Sequence, residues 1–132
     1  MERTLLLIKP NATRKGKIGA ILGMVEDRGF KIEKLKMIRM DNNLADRFYA
    51  EHIDKGFYAQ LSAFMQSGDI VAAVLSRDDA ITGLRELVGH TDYRQAAPGT
   101  IRALFGDSLT ENAVHASDST VSAKREIAII FP

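Results

Sequence analysis

Arg3-Thr4-Leu5-Leu6-Leu7-Ile8-Lys9-Pro10 is the stretch on which the fold turns. Leu5 to Ile8 are apolar without interruption, and Pro10 closes the run because it has no N–H to continue a ladder. Four apolar residues followed at once by Lys9 are too few for the roughly 7–15-residue apolar region of a secretory signal. The run is therefore read as a strand covered on both faces, which needs partner strands beside it and helices above and below.

The rest of the sequence supplies them. Ile18, Ile21, Leu22 and Val25 fall at i, i+3, i+4 and i+7, one helical stripe, and Gly29 stands where a carboxyl-terminal cap belongs. From Lys31 to Met40, Ile32, Leu35, Met37 and Ile38 interleave with Lys31, Lys34, Lys36 and Arg39, the pattern of a strand with one wet face and a bulge at the Leu35 step. Asn43 can cap a short helix bearing Leu44, Phe48 and His52. Gly56 separates it from a second helix with Phe57, Leu61, Phe64 and Met65, and the two form a helical hairpin. Asp69 to Ser76 reads as a strand, and Asp78 or Asp79 opens a helix with Ile81, Leu84 and Val88 inward and Gly89 past its end. His90 to Asp107 shows little periodicity, a long loop of the kind that tends to carry function. Ala113 to Ala116 suits a short strand, Asp118 or Ser119 a cap, and Ser119 to Glu126 a last helix, while Ile127 to Phe131 fits either element type. With no repeats or linkers, residues 1–132 are expected to form one α+β domain, helices on a small, mostly antiparallel sheet.

Composition narrows the function classes. The 132 residues are 45% hydrophobic and 27% charged, an ordinary globular mixture. Eighteen Lys and Arg against 17 Asp and Glu leave a net charge of +1, so a general basic field for nucleic acid is not expected and any anion site must be local. With Cys 0 there is no disulfide, thiolate nucleophile or Cys-ligated zinc, and a reducing interior suits the chain. The longest apolar run, Ile70 to Leu75, falls far short of the roughly 20 residues a membrane span needs.

Several chemistries are absent as motifs. There is no G-x-x-x-x-G-K-[ST] loop, His52, His90 and His115 lack close metal-ligand spacing, and the ribonucleoprotein signature is missing. The informative segment is Asn112-Ala113-Val114-His115-Ala116-Ser117-Asp118-Ser119. On a short strand Asn112, Val114 and Ala116 share one face and His115 takes the other, while Ser117 to Ser119 begin a helix whose free N–H groups favour an anion. A lone histidine is more often a partly buried one, here bonded around Ser119. Glu126 on the same helix could instead return to accept the His115 ring N–H, fixing the tautomer and freeing the other nitrogen as a nucleophile.

With these residues in view, the chain resembles a nucleoside diphosphate kinase. The resemblance rests on Thr4-Leu5-Leu6-Leu7-Ile8-Lys9-Pro10, Tyr49-Ala50-Glu51-His52, Ala97-Pro98-Gly99-Thr100-Ile101-Arg102 and Asn112 to Ser119, four separated motifs at the family's spacing across the entire chain. It implies a ferredoxin-like βαββαβ sandwich with a four-stranded antiparallel sheet and added helices. It also implies exchange of the terminal phosphate between nucleoside tri- and diphosphates, ATP among them, with Mg²⁺ held mainly by the nucleotide phosphates. By resemblance His115 is the phosphorylated nucleophile, with Glu126 and Ser117 at its back and Tyr49 beside it. Lys9 lies near the ribose 3′-hydroxyl and the transferring phosphate, Arg85, Thr91 and Arg102 hold phosphates, His52 lies near phosphate, and Asn112 bonds the ribose. Phe57 carries the base by stacking, which tolerates every base, and Leu61 is a further nucleotide-binding residue. A cytoplasmic homo-oligomer, tetramer or hexamer, is implied as well.

The chain departs from the family's pattern at Asn11 in place of Asp, Gly56 and Tyr93 in place of Pro, and Ala116 in place of Gly. Gly56 and Tyr93 are expected to leave two loops with less backbone restraint. Two rivals are a binding-only relative that has lost catalysis, against which the retained His115 speaks, and a nucleic-acid module on the same sandwich, against which the small net charge speaks.

Overall fold

The computed structural model describes residues 1–132. Leu5 to Ile8 lie in β1 (Glu2–Ile8), and all four side chains are fully buried. β1 is central because it is paired on both sides, antiparallel to β3 (Ile70–Arg77) and antiparallel to β4 (Val114–Ala116). β2 (Lys31–Ile38) adds to the far side of β3, giving the order β2-β3-β1-β4 in a four-stranded, wholly antiparallel sheet.

Alternation along β1 divides the interior. Leu6 and Ile8 face α2 (Ile18–Asp27) and α5 (Ala80–Val88), sharing a core with Ile21, Val25, Leu84 and Leu87. Leu5 and Leu7 face the other way, toward α3 (Asn42–Phe48), α4 (Tyr58–Met65) and α7 (Thr120–Ile130), where Phe48, Met65 and Ile130 complete a second core. The architecture is the ferredoxin-like α+β sandwich, with α1 (Pro10–Arg14), α3, α4, α6 (Ile101–Phe105) and α7 added to it.

Several local expectations are corrected. Asp41, not Asn43, caps α3, its Oδ1 accepting from Leu44 N at 2.8 Å, and α3 ends at Phe48, so His52 falls in a separate 3₁₀ turn. The β2 bulge lies between Ile32 and Lys34 rather than at Leu35. Leu35 and Met37 follow the bulge on an outer strand and stay 51% and 57% exposed, so β2 has no dry face within this chain. The span His90–Asp107 is not bare loop. A 3₁₀ turn at Tyr93–Gln95 is capped by Asp92, and α6 is capped by the Thr100 side chain. The ambiguous Ile127–Phe131 segment continues α7 to Ile130.

Two of the departing residues are held by neighbours, whereas nothing lies within 4 Å of where a Gly56 Cβ would stand. Asn11 donates through Nδ2 to Asp107 Oδ2 at 2.9 Å and to Glu111 O at 3.0 Å, joining α1 to the segment before β4. Tyr93 packs against Gly106, where a Cβ would come within 2.6 Å of the Tyr93 Cβ.

Candidate active site

His115 owes its direction to strand alternation. Val114 and Ala116 enter the α2–α5 core, so the residue between them, opposite Leu7 of β1, turns to the α3–α7 face. There Glu126 meets it. Ala123, Glu126 and Ile130 are the inward positions of α7, at i, i+3 and i+7, and a carboxylate on that stripe is buried among partners. His115 Nε2 lies 2.9 Å from Glu126 Oε1, and Ser117 Oγ donates to the same oxygen at 2.7 Å. Ser117 Oγ accepts in turn from Leu5 N at 3.3 Å, tying the carboxylate back to β1.

A carboxylate can only accept, so Nε2 carries the ring proton and Nδ1, which has no partner, holds a free lone pair toward the cavity. Burial opposes ionisation of Glu126, but the hydrogen bonds from His115 and the Ser117 hydroxyl and the nearby Arg125 outweigh it and hold the carboxyl below the usual range. The Phe48 ring stands edge-on to the imidazole, centroids 5.0 Å apart.

The open cavity at Nδ1 measures about 380 Å³ and is lined mostly by polar groups, among them Lys9, Arg85, Thr91, Arg102 and Asn112. Lys9 follows β1 directly and is buried, with Nζ donating to Asn112 Oδ1 at 2.8 Å. Asn112 reaches this side because Ala113 adopts φ 77°, a left-handed turn that breaks the alternation. The expected placement of Asn112 with Val114 and Ala116 on one face is corrected accordingly. Arg102 spans two backbone carbonyls, Gly89 O at 3.1 Å and Val114 O at 3.0 Å. Gly89 serves that contact at φ +91°, and a Cβ there would come within 2.6 Å of Thr100 Oγ1. Burial, with Arg102 close by, pushes Lys9 down to about 7, and burial, with Arg85 close by, pushes Arg102 down to about 10. A site that crowds its own cations in this way is suited to a polyanion.

Tyr49 and His52 also line the cavity, and Tyr49 Oη, His52 Nδ1 and Arg102 Nε are buried there without hydrogen-bond partners. Burial raises the Tyr49 hydroxyl far above its ordinary value, with Glu126 and Tyr58 adding to it, so it remains a neutral donor. A second, shallower cavity shares Thr91 with the first and is bounded by Phe57, Gln60 and Leu109. Phe57 is 49% exposed and free to stack. Leu61 lines neither cavity, since it turns inward to pack on the α3–α7 core.

Sequence reasoning missed Glu51, Asp118, Ser122 and Arg125, all at the main cavity. Glu51 and Asp118 lay inside quoted motifs and could have been found. Ser122 and Arg125 carry no signal beyond their nearness to Ser119 and Glu126. No group of three or more His, Asp or Glu gathers to hold a metal, and no helix is long and apolar enough to cross a membrane.

Comparison with known proteins gives the family. The family model described as nucleoside diphosphate kinase matches residues 2–132. A nucleoside diphosphate kinase of Staphylothermus marinus is 49% identical over 130 residues, 98% of this chain and 92% of the relative. The solved Aquifex aeolicus nucleoside diphosphate kinase superposes with a TM-score of 0.96 at 47% identity, covering 99% of this chain and 95% of its own. That of Halobacterium salinarum, solved in complex with CDP, gives 0.95 at 42% identity, over 98% and 87%.

Proposed function

The chain belongs to the nucleoside diphosphate kinase family and is an enzyme of that class, and from that premise we propose that residues 1–132 act as one domain that transfers phosphate in two half-reactions through His115. The observation that carries this reading is the bond from His115 Nε2 to Glu126 at 2.9 Å, which leaves Nδ1 facing a cavity ringed by cations. In the first half-reaction the Nδ1 lone pair forms a bond to the γ-phosphorus while the bond to the bridging β–γ oxygen breaks, and the nucleoside diphosphate leaves with that electron pair. The Nε2 proton stays in place. Glu126 balances the positive charge the ring acquires, held by Ser117 as it does so. The second half-reaction reverses these events onto another diphosphate.

Phosphoryl transfer asks mainly for in-line positioning and neutralised oxygens. Arg85, Thr91, Arg102 and His52 would take the phosphates, Lys9 and Asn112 the ribose 3′-hydroxyl and transferring phosphate, and Tyr49 a place beside the ring. Mg²⁺ fits this donor set as an ion carried in on the phosphates, because Glu126 is already engaged and Glu51 and Asp118 are the two other carboxylates at the cavity wall, too few to make a protein cage. When bound it supplies charge neutralisation on the phosphate oxygens.

CDP in the Halobacterium salinarum relative supports a nucleotide in this cavity. The exposed Phe57 face supports broad base acceptance, since stacking reads no base edges. Leu61 would act only from behind the base slot. A homo-oligomer, tetramer or hexamer, is part of the reading, because β2 is an unpaired edge carrying exposed Leu35 and Met37. Light scattering that finds a fully active monomer would overturn that part. A cytoplasmic setting, where these substrates and Mg²⁺ occur together, completes it. Incubation with ATP and Mg²⁺, followed by intact-mass measurement before and after acid, tests the core of the reading. An acid-labile gain of one phosphate is expected, and an acid-stable gain or none would overturn it.

A further inference from the structure

Arg125 precedes Glu126 on α7, so its side chain leaves the helix about 100° away from the carboxylate. It does not run out into solvent. Nη1 donates to Arg47 O at 3.3 Å and Nη2 to Phe48 O at 3.2 Å. These carbonyls lie in the last turn of α3, where no helical N–H reaches them and a cation is favoured. The same Nη2 stands 3.9 Å from Glu126 Oε2. Glu126 Oε1 is taken by His115 and Ser117, so Arg125 is the charge that faces the other oxygen.

Both neighbours of the imidazole thus meet in one guanidinium. Glu126 grips Nε2, the Phe48 ring abuts the His115 ring edge-on, and Arg125 touches the backbone that carries Phe48 and the carboxylate that carries the proton contact. The geometry points to Arg125 as a positioning residue for phosphoryl transfer, one that fixes the His115 ring by docking the end of α3 against α7 beside Glu126. Its charge is also among the influences that keep Glu126 ionised, after those of His115 and Ser117. This role rests on the phosphohistidine reading above.

Single-turnover labelling with γ-labelled ATP and Mg²⁺ on the wild type, Arg125→Met and Arg125→Lys, with ADP titration and thermal melts on the same preparations, tests it. The Met variant should label about 10-fold more slowly at saturating ATP while ADP affinity stays within about twofold, because a misplaced nucleophile loses rate rather than binding. The Lys variant should recover part of the rate, since an ammonium restores charge but not the planar fork across two carbonyls. If the Met variant does not fold, a folded Lys variant that labels more slowly than wild type carries the same expectation. Wild-type labelling in either variant would overturn the role, as would a loss confined to ADP affinity, which would make Arg125 a phosphate ligand. A wild-type protein without acid-labile phosphate would overturn the phosphohistidine reading itself, and the role with it.

Discussion

On the α7 side of the cavity the groups that hold His115 in place have their partners, whereas on the α5–α6 side the cations crowd one another. Glu126 accepts from both His115 and Ser117, and Ser117 accepts from β1. Across the cavity, burial and the neighbouring Arg102 push Lys9 down to about 7, burial and the neighbouring Arg85 push Arg102 down to about 10, and Arg102 Nε has no partner. The first wall is finished before any ligand arrives, as a nucleophile's orientation must be. The second is completed only by an anion, so empty-state strain there becomes binding energy when phosphates enter.

The largest effect should come from the finished wall. His115→Ala removes the only nitrogen placed for attack and should abolish both phosphoenzyme formation and exchange while the fold and ADP binding persist. Exchange at near wild-type rate would show that another group carries the phosphate. Glu126→Gln is the next step down, slowing labelling by about 10–10²-fold, or about 1.4–2.7 kcal/mol, with nucleotide affinity nearly unchanged. An amide keeps a contact to Nε2 but offers no charge. An unchanged single-turnover rate would mean that the ring is oriented without Glu126. Phe57 belongs to neither wall and sharpens the contrast: Phe57→Ala should weaken all nucleotides alike by about 1 kcal/mol, the low end for a stacked base at so open a position. Equilibrium titration with purine and pyrimidine diphosphates checks this, and a loss limited to one class would show that base edges are read.

The finished wall was also the more legible one in the sequence. Leu5 to Ile8 announced a central strand, alternation gave the outward turn of His115, and helical spacing allowed Glu126 to return. Less visible were features without a period of their own. α1 is one turn begun by Pro10, and α6 is five residues that depend on the Thr100 cap, so neither has an apolar stripe. Asp41 and Asn43 are both capping types two residues apart, and residue type alone does not choose Asp41, which caps α3. Leu61 sits at i+4 from Phe57 and so shared its assignment, yet packing sent it into the core. Asn112 reached the cavity through a positive φ at an alanine, which no residue preference foretells. Arg125 looks like any surface arginine until α3 comes to rest against α7.

The smallest expected effect belongs to the unfinished wall and concerns protons. Lys9 has its pKa lowered from 10.5 to about 7 in the folded chain, first by burial and then by Arg102. Between those values the unfolded chain holds a proton that the folded one lacks, so this group's contribution to stability is lowest below pH 7 and grows as pH rises toward 10.5. Replacing it by Lys9→Met should flatten that part of the profile. Between about pH 7 and 9 the wild type should gain on the order of 1 kcal/mol relative to the variant, read from denaturant melts at both values. A bound polyphosphate reverses the sign, because negative oxygens beside Nζ favour the ammonium. Nucleotide binding at pH 8 should therefore take up a proton, and affinity should fall as pH climbs above 7. Calorimetry of ADP binding in two buffers of different ionisation enthalpy measures that proton directly. Equal heats in both buffers, or parallel stability profiles for wild type and Lys9→Met, would show that Lys9 is already charged in the empty site and that the two walls differ less than their hydrogen bonds suggest.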